Sequence, residues 1–112
     1  METLLINVRR FWRSAEMVYK EKDYTSATIL YFKCLFVLLD AIIFRNKKKT
    51  PKDHTERFQI LKESLPKYYT ILDKIYPVYR DTYALQIEQE KCDEVRKHVR
   101  AIAKEQGISL EN

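Results

Sequence analysis

Apolar residues recur at intervals of three and four along nearly the whole chain, which is the signature of amphipathic helices rather than strands. Over residues 3–20 the stripe is Leu4, Leu5, Val8, Phe11, Trp12, Ala15 and Val18, with Arg9, Arg13, Glu16 and Lys20 opposite. Glu21-Lys22-Asp23 breaks the pattern, and Asp23 is placed to cap a second helix over residues 24–45, the most apolar piece of the protein. After Asn46-Lys47-Lys48-Lys49, the tetrapeptide Thr50-Pro51-Lys52-Asp53 reads as an N-cap threonine, a proline at the first helical position and an acid in the first turn. This predicts a third helix over residues 51–64, with His54, Phe58, Leu61 and Leu65 on one side. Pro66 opens a fourth, whose stripe Tyr68, Leu72, Ile75 and Tyr79 keeps phase across Pro77, so a kink is expected there rather than a stop. A connection over residues 83–88 leads to a fifth helix over 88–106, with the seam Cys92, Val95, Val99 and Ile102. Gly107 ends it, and Ile108 is placed to fold back onto Ala103. The expected fold is all-α, an up-and-down bundle of about five helices with a kinked fourth.

The second helix carries an anomaly. Seven residues return nearly to the same face, so Ser26, Lys33 and Asp40 form one polar line. Ile29, Phe36 and Ile43 flank it on one side, and Leu30, Val37 and Phe44 on the other. That is too apolar for an ordinary solvated face, so either the third and fourth helices cover it or a second copy does.

Composition narrows the function classes. The chain has 112 residues, enough for one compact domain, and a single Gly, which excludes any glycine-rich phosphate loop. Its abundance of Lys, Glu, Ile and Tyr leans toward that of heat-adapted proteins. Cys34 and Cys92 form no CxxC pair, and with His54 and His98 they never fall at ligand spacing, so neither metal, cofactor nor disulfide is expected. The long apolar run of the second helix contains Lys33 and Asp40, which argues against a membrane span and for a cytoplasmic protein.

The formal net charge is +5, and Arg45, Lys47, Lys48, Lys49 and Lys52 supply five positive charges in one short segment. The bland account is a helix C-terminus decorated with cations. The functional account is a landing site for phosphates, with Arg9, Arg10 and Arg13 as additions if the first helix runs nearby. His54 beside this loop is either a half-buried imidazole or a phosphate or base contact. Arg80, just after Pro77, is either a brace for a freed carbonyl or a phosphate clamp.

The order of these pieces resembles the HEPN domain, a helical bundle named for higher eukaryotes and prokaryotes nucleotide-binding. The resemblance rests on the break Lys22-Asp23-Tyr24, the Ala- and Leu-rich second helix, the Pro51-Lys52-Asp53-His54 opening of the third, and Tyr79-Arg80-Asp81-Thr82-Tyr83 late in the fourth. It implies a homodimer, nucleotide or RNA handling, and work beside a nucleotidyltransferase-type partner. Many members cleave RNA with an Arg followed after four to six residues by a His, an imidazole to move the proton and a guanidinium for the phosphorane charge. That motif is missing here: after Arg80 the positions hold Leu85, Gln86 and Ile87, and Arg45 has eight residues before His54. The expectation is therefore a non-catalytic binding module. The implied dimer would use Ile29, Lys33, Phe36, Val37, Asp40 and Phe44, with each Lys33 facing the partner copy's Asp40. The alternative is a protein-interaction module, because Ala15 to Leu35, with Tyr19, Asp23-Tyr24, Ala27 and Tyr31, also resembles one tetratricopeptide-type hairpin.

Overall fold

The computed structural model describes residues 1–111 as five helices, with no strand among the described residues. They are α1 (Glu2–Lys20), α2 (Tyr24–Lys47), α3 (His54–Ser64), α4 (Pro66–Asp81) and α5 (Gln89–Glu105). The all-α bundle expected from periodicity is the fold observed.

Half of α2, 12 of its 24 residues, is buried, so this helix is the axis on which the others pack. Asp23 caps it by accepting from the Ser26 N–H. α1 runs antiparallel alongside: the Cys34 thiol donates to the Val8 carbonyl at 3.3 Å, and Trp12 meets Tyr31, and Tyr19 meets Tyr24, with ring centroids 5.4 Å apart in each pair. α5 lies against another flank of α2, and α1 and α5 meet through side chains, Arg96 with Glu16 and Asp93 with Tyr19. Leu35, Leu38, Leu39, Ile42, Val8 and Val95 are fully buried between these three helices. An 18-residue stretch of α2 with mean hydropathy 2.1 is long and apolar enough to cross a membrane, and here 67% of it is buried by the protein's own helices.

α3 starts three residues later than the sequence suggests. The N-cap is Asp53, not Thr50: its carboxylate accepts from Glu56 N–H at 2.8 Å while Glu56 accepts from Lys52 N–H at 3.0 Å. An Asp followed three residues later by a Glu satisfies two free donors at once, and that arrangement outcompetes the Thr-Pro start. α4 opens at Pro66 as expected and runs through Pro77. α5 ends on a Schellman turn, with Gly107 at φ 67°, Gly107 N–H bonded to Lys104 O and Ile108 N–H bonded to Ala103 O at 2.9 Å. Ile108 is thereby buried against the bundle, as its sequence position suggested.

Candidate nucleic-acid interface

α1 and α5 flank α2 and meet only through side chains, so a groove lies between their backbones, and C-terminal residues line it. It opens as two cavities of about 630 and 850 Å³ that share Trp12, Glu16, Leu110 and Glu111. Arg9, Arg10, Arg13 and Lys20 line the α1 side. Arg96, Lys97, Arg100 and Lys104 line the α5 side. Against these eight cations stand three carboxylates, Glu16, Asp93 and Glu111.

Two of the cations are committed. Arg96 grips Glu16 with two bonds of 2.8 and 3.0 Å, and its guanidinium lies over the rings of Trp12 and Tyr19 at 5.9 and 5.1 Å. Tyr31 donates to the same carboxylate at 3.1 Å. Partial burial alone would raise the Glu16 pKa, but the bonded Arg96 charge and the Tyr31 hydroxyl outweigh it and hold the carboxyl below its ordinary value. This cluster braces α1 against α5 and fixes the groove floor. Arg9 donates to Ser109 O at 3.1 Å. Arg10, Arg13, Lys20, Lys97, Arg100 and Lys104 make no protein hydrogen bond or ion pair among the described residues. On α5 the free cations fall at positions 97, 100 and 104, a single helical line beside the buried seam.

The sequence-predicted residues divide. Arg45 donates to Gln106 O at 2.9 Å and so acts on the C-terminus of α5. Lys48 is the left-handed C-cap of α2, and Lys47, Lys49 and Lys52 are exposed around it. Because Arg45 and Arg9 hold the same stretch, at Gln106 and Ser109, the lysine end and the groove meet at the C-terminal segment. Arg80 is remote from the lysine end: Tyr79 packs on Phe32 and Phe36, about 14–20 Å down the α2 axis from Arg45. It is exposed and braces no carbonyl, and Thr82 Oγ caps Tyr79 O at 2.6 Å instead.

His54 belongs to a different cluster. Its Nδ1 is 2.6 Å from Arg57 Nη1, and Arg57 holds Asp40 through two bonds of 2.7 and 3.0 Å. Arginine can only donate, so Nδ1 accepts and the proton of the neutral ring sits on Nε2. Partial burial first, then the Arg57 charge, depress the His54 pKa. The ring stands edge-on to Phe36 at 4.6 Å, with Tyr76 at 5.8 Å and Tyr79 beyond. A hydrogen bond with Tyr83 and then partial burial push the Tyr79 hydroxyl up to about 12, so it stays protonated.

These contacts correct the expected two-fold interface. Phe36 is only 6% exposed and lies beneath His54, Tyr76 and Tyr79. Asp40 is taken by Arg57 of the same chain, which competes with the expected Lys33–Asp40 pairing between copies. The cover for this side of α2 is the α3–α4 hairpin. Ile29, Val37 and Phe44 are half-buried, and Lys33 is exposed.

No family model, curated protein or solved structure matches the chain. The site therefore rests on geometry.

Sequence reasoning missed Arg57 and the cations of α5. Arg57 had a signal: it follows His54 by three residues, on the side of α3 that faces the polar line of α2. The α5 cations also had one, in the spacing of Lys97, Arg100 and Lys104 beside Val95 and Val99. A net charge summed along the chain assigns the whole excess to the lysine loop, whereas folding gathers a second basic surface from two helices distant in sequence.

Proposed function

We propose that this chain is a HEPN-like, non-catalytic module that binds the phosphate backbone of a nucleic acid along the α1–α5 groove. The observation that carries the reading is the groove's charge: six cations without protein partners on two facing walls, continuous with the lysine end. Cations held on opposed helices and released from ion pairs are free to replace the counterions of a polyanion. Trp12 is buried and offers no stacking face, so recognition falls on phosphates rather than bases.

The state of the only histidine near the lysine loop supports the absence of cleavage. His54 accepts from Arg57 through one ring nitrogen, and the adjacent Tyr79 stays protonated, so no poised base faces solvent there.

Fluorescence polarisation with a labelled oligouridylate tests the reading. Affinity should fall steeply between about 50 and 200 mM salt, and the RNA should stay intact. The triple variant Arg13→Gln, Arg100→Gln, Lys104→Gln should flatten the log–log salt slope by about 0.7 for each phosphate of a single strand that is no longer neutralised. Binding with an unchanged slope would discard the groove, and a slope that responds only to Lys47→Gln, Lys48→Gln, Lys49→Gln would move the site to the lysine end.

The homodimer implied by the HEPN resemblance is retained as part of the proposal, on the half-buried strip of α2 around the exposed Lys33. Leu30, Val37 and Phe44 recur there at seven-residue spacing around Lys33. Val37→Glu should give a folded monomer by light scattering, and a wild-type protein that is monomeric at about 10 µM, a concentration above a 1 µM dissociation constant, removes the dimer.

A further inference from the structure

The two cavities of the groove share Trp12 and Glu16 and, from the segment after α5, Leu110 and Glu111. The Schellman turn at Gly107 and the burial of Ile108 fix the chain firmly up to that point, with two backbone hydrogen bonds to α5. Beyond it the hold is slight. Arg9 donates to Ser109 O from an exposed position, Leu110 is half-buried, and the Ser109 hydroxyl closes a local turn with Glu111. Leu110 and Glu111 line both cavities, so a chain passing from one to the other meets them.

We propose that residues 109–111 form a strap that must lift before the groove can take a continuous polyanion. The inference rests on the reading of the groove as a phosphate path. The strap offers the groove the groups a nucleic acid would offer: a carbonyl oxygen to Arg9, and the Glu111 carboxylate among the cations of both walls. It occupies Arg9 directly, and the Glu111 carboxylate, which forms no ion pair among the described residues, opposes an incoming polyanion by its charge. Among the described residues its anchor is one exposed hydrogen bond and the packing of one leucine, so it is displaceable, whereas Ile108 stays docked as the hinge. Closed, the strap lowers the fraction of molecules competent to bind and weakens the apparent affinity in proportion.

The test uses the full chain, the oligouridylate probe and about 50 mM salt. Leu110→Ser changes no charge and removes only the packing that keeps the strap down. It should tighten binding about three- to tenfold, with the salt slope unchanged because every cation is kept. In the wild-type protein, amide exchange at Glu111, whose N–H is bonded to Ser109 Oγ, should rise when the probe binds, while Ile108 stays protected. A wild-type protein that binds with the groove-dependent slope, beside a Leu110→Ser variant of equal or weaker affinity, overturns the strap and leaves the groove standing. If neither protein binds the probe, the groove reading falls and the strap with it.

Discussion

α2 is held to its neighbours in two physically different ways. On the side that carries Tyr31 and Cys34 toward α1 it presents Leu35, Leu38 and Ile42, all fully buried. Toward the α3–α4 hairpin it presents Phe36 and Asp40, which meet edge-on rings and one buried arginine. Aliphatic burial is non-directional, scales with area and tolerates repacking. A charged pair adds little net stability but fixes register, and fails badly when one partner is removed. The three-helix block is therefore the stable part of the molecule and the hairpin the part that local chemistry can loosen.

The largest effect should come from the ring cluster. Phe36→Ala removes the side chain shared by His54, Tyr76 and Tyr79, and should cost about 3–4 kcal/mol. Native-state hydrogen exchange should show the loss first in α3 and α4, with the inner amides of α1 and α2 opening later. By contrast, Leu38→Ala, of similar size, should lower protection throughout the molecule. Equal losses everywhere for both variants would erase the distinction between the two regions.

Asp40→Ala comes next. It leaves Arg57 buried without its carboxylate, with side-chain exposures of 10% for the arginine and 14% for the aspartate, and should cost about 3 kcal/mol. Replacing both partners, Asp40→Leu with Arg57→Leu, should recover most of that loss in chemical denaturation, because no uncompensated charge remains. A double variant as unstable as the single one would mean that the pair itself, rather than its breakage, holds the hairpin.

The same contrast explains what was legible in the sequence. The Pro66 start, the Gly107 stop and the Asp23 cap are local chemistry, and each reads directly from a few neighbouring residues. The α3 start is ambiguous in sequence because two local caps compete there, and the Asp53–Glu56 arrangement prevails. The anomalous face of α2 was legible as anomalous, since Phe36 and Asp40 stood where a solvated helix has neither. Its occupant was not, because periodicity identifies a face that needs covering and says nothing about which surface covers it. Arg57 was the missing clue. The groove was hidden for a related reason: Arg13 and Arg100 lie far apart in the chain and share a surface only because α1 and α5 flank the same helix.

The smallest effect is also the one that separates the two regions by pH. Native His54 has its pKa depressed below the ordinary value near 6.5, by partial burial and by Arg57, with Lys33 adding in the same direction and Asp40 and Asp53 opposing. The folded state therefore binds fewer protons than the unfolded one as pH falls through 6.5, and stability declines on acidification from there until the native ring itself protonates. Protonated Nδ1 would then face the Arg57 guanidinium donor to donor, so the strain falls on the hairpin. Glu16 behaves at lower pH: its native pKa lies below the ordinary carboxylate value, so its contribution is complete above about 4.5 and is lost as pH falls through the native pKa. Below about pH 6.5, amide exchange corrected for intrinsic rates should therefore accelerate in α3 and α4 while α1 holds; α5 carries its own histidine depressed by burial, His98, and responds separately. Only under more acidic conditions should the Glu16–Arg96 brace between α1 and α5 follow. His54→Gln, which keeps a hydrogen-bond acceptor for Arg57 and cannot titrate, should abolish the first step and leave the second. A first step that survives in His54→Gln would assign it to another group and separate the hairpin's pH response from this histidine.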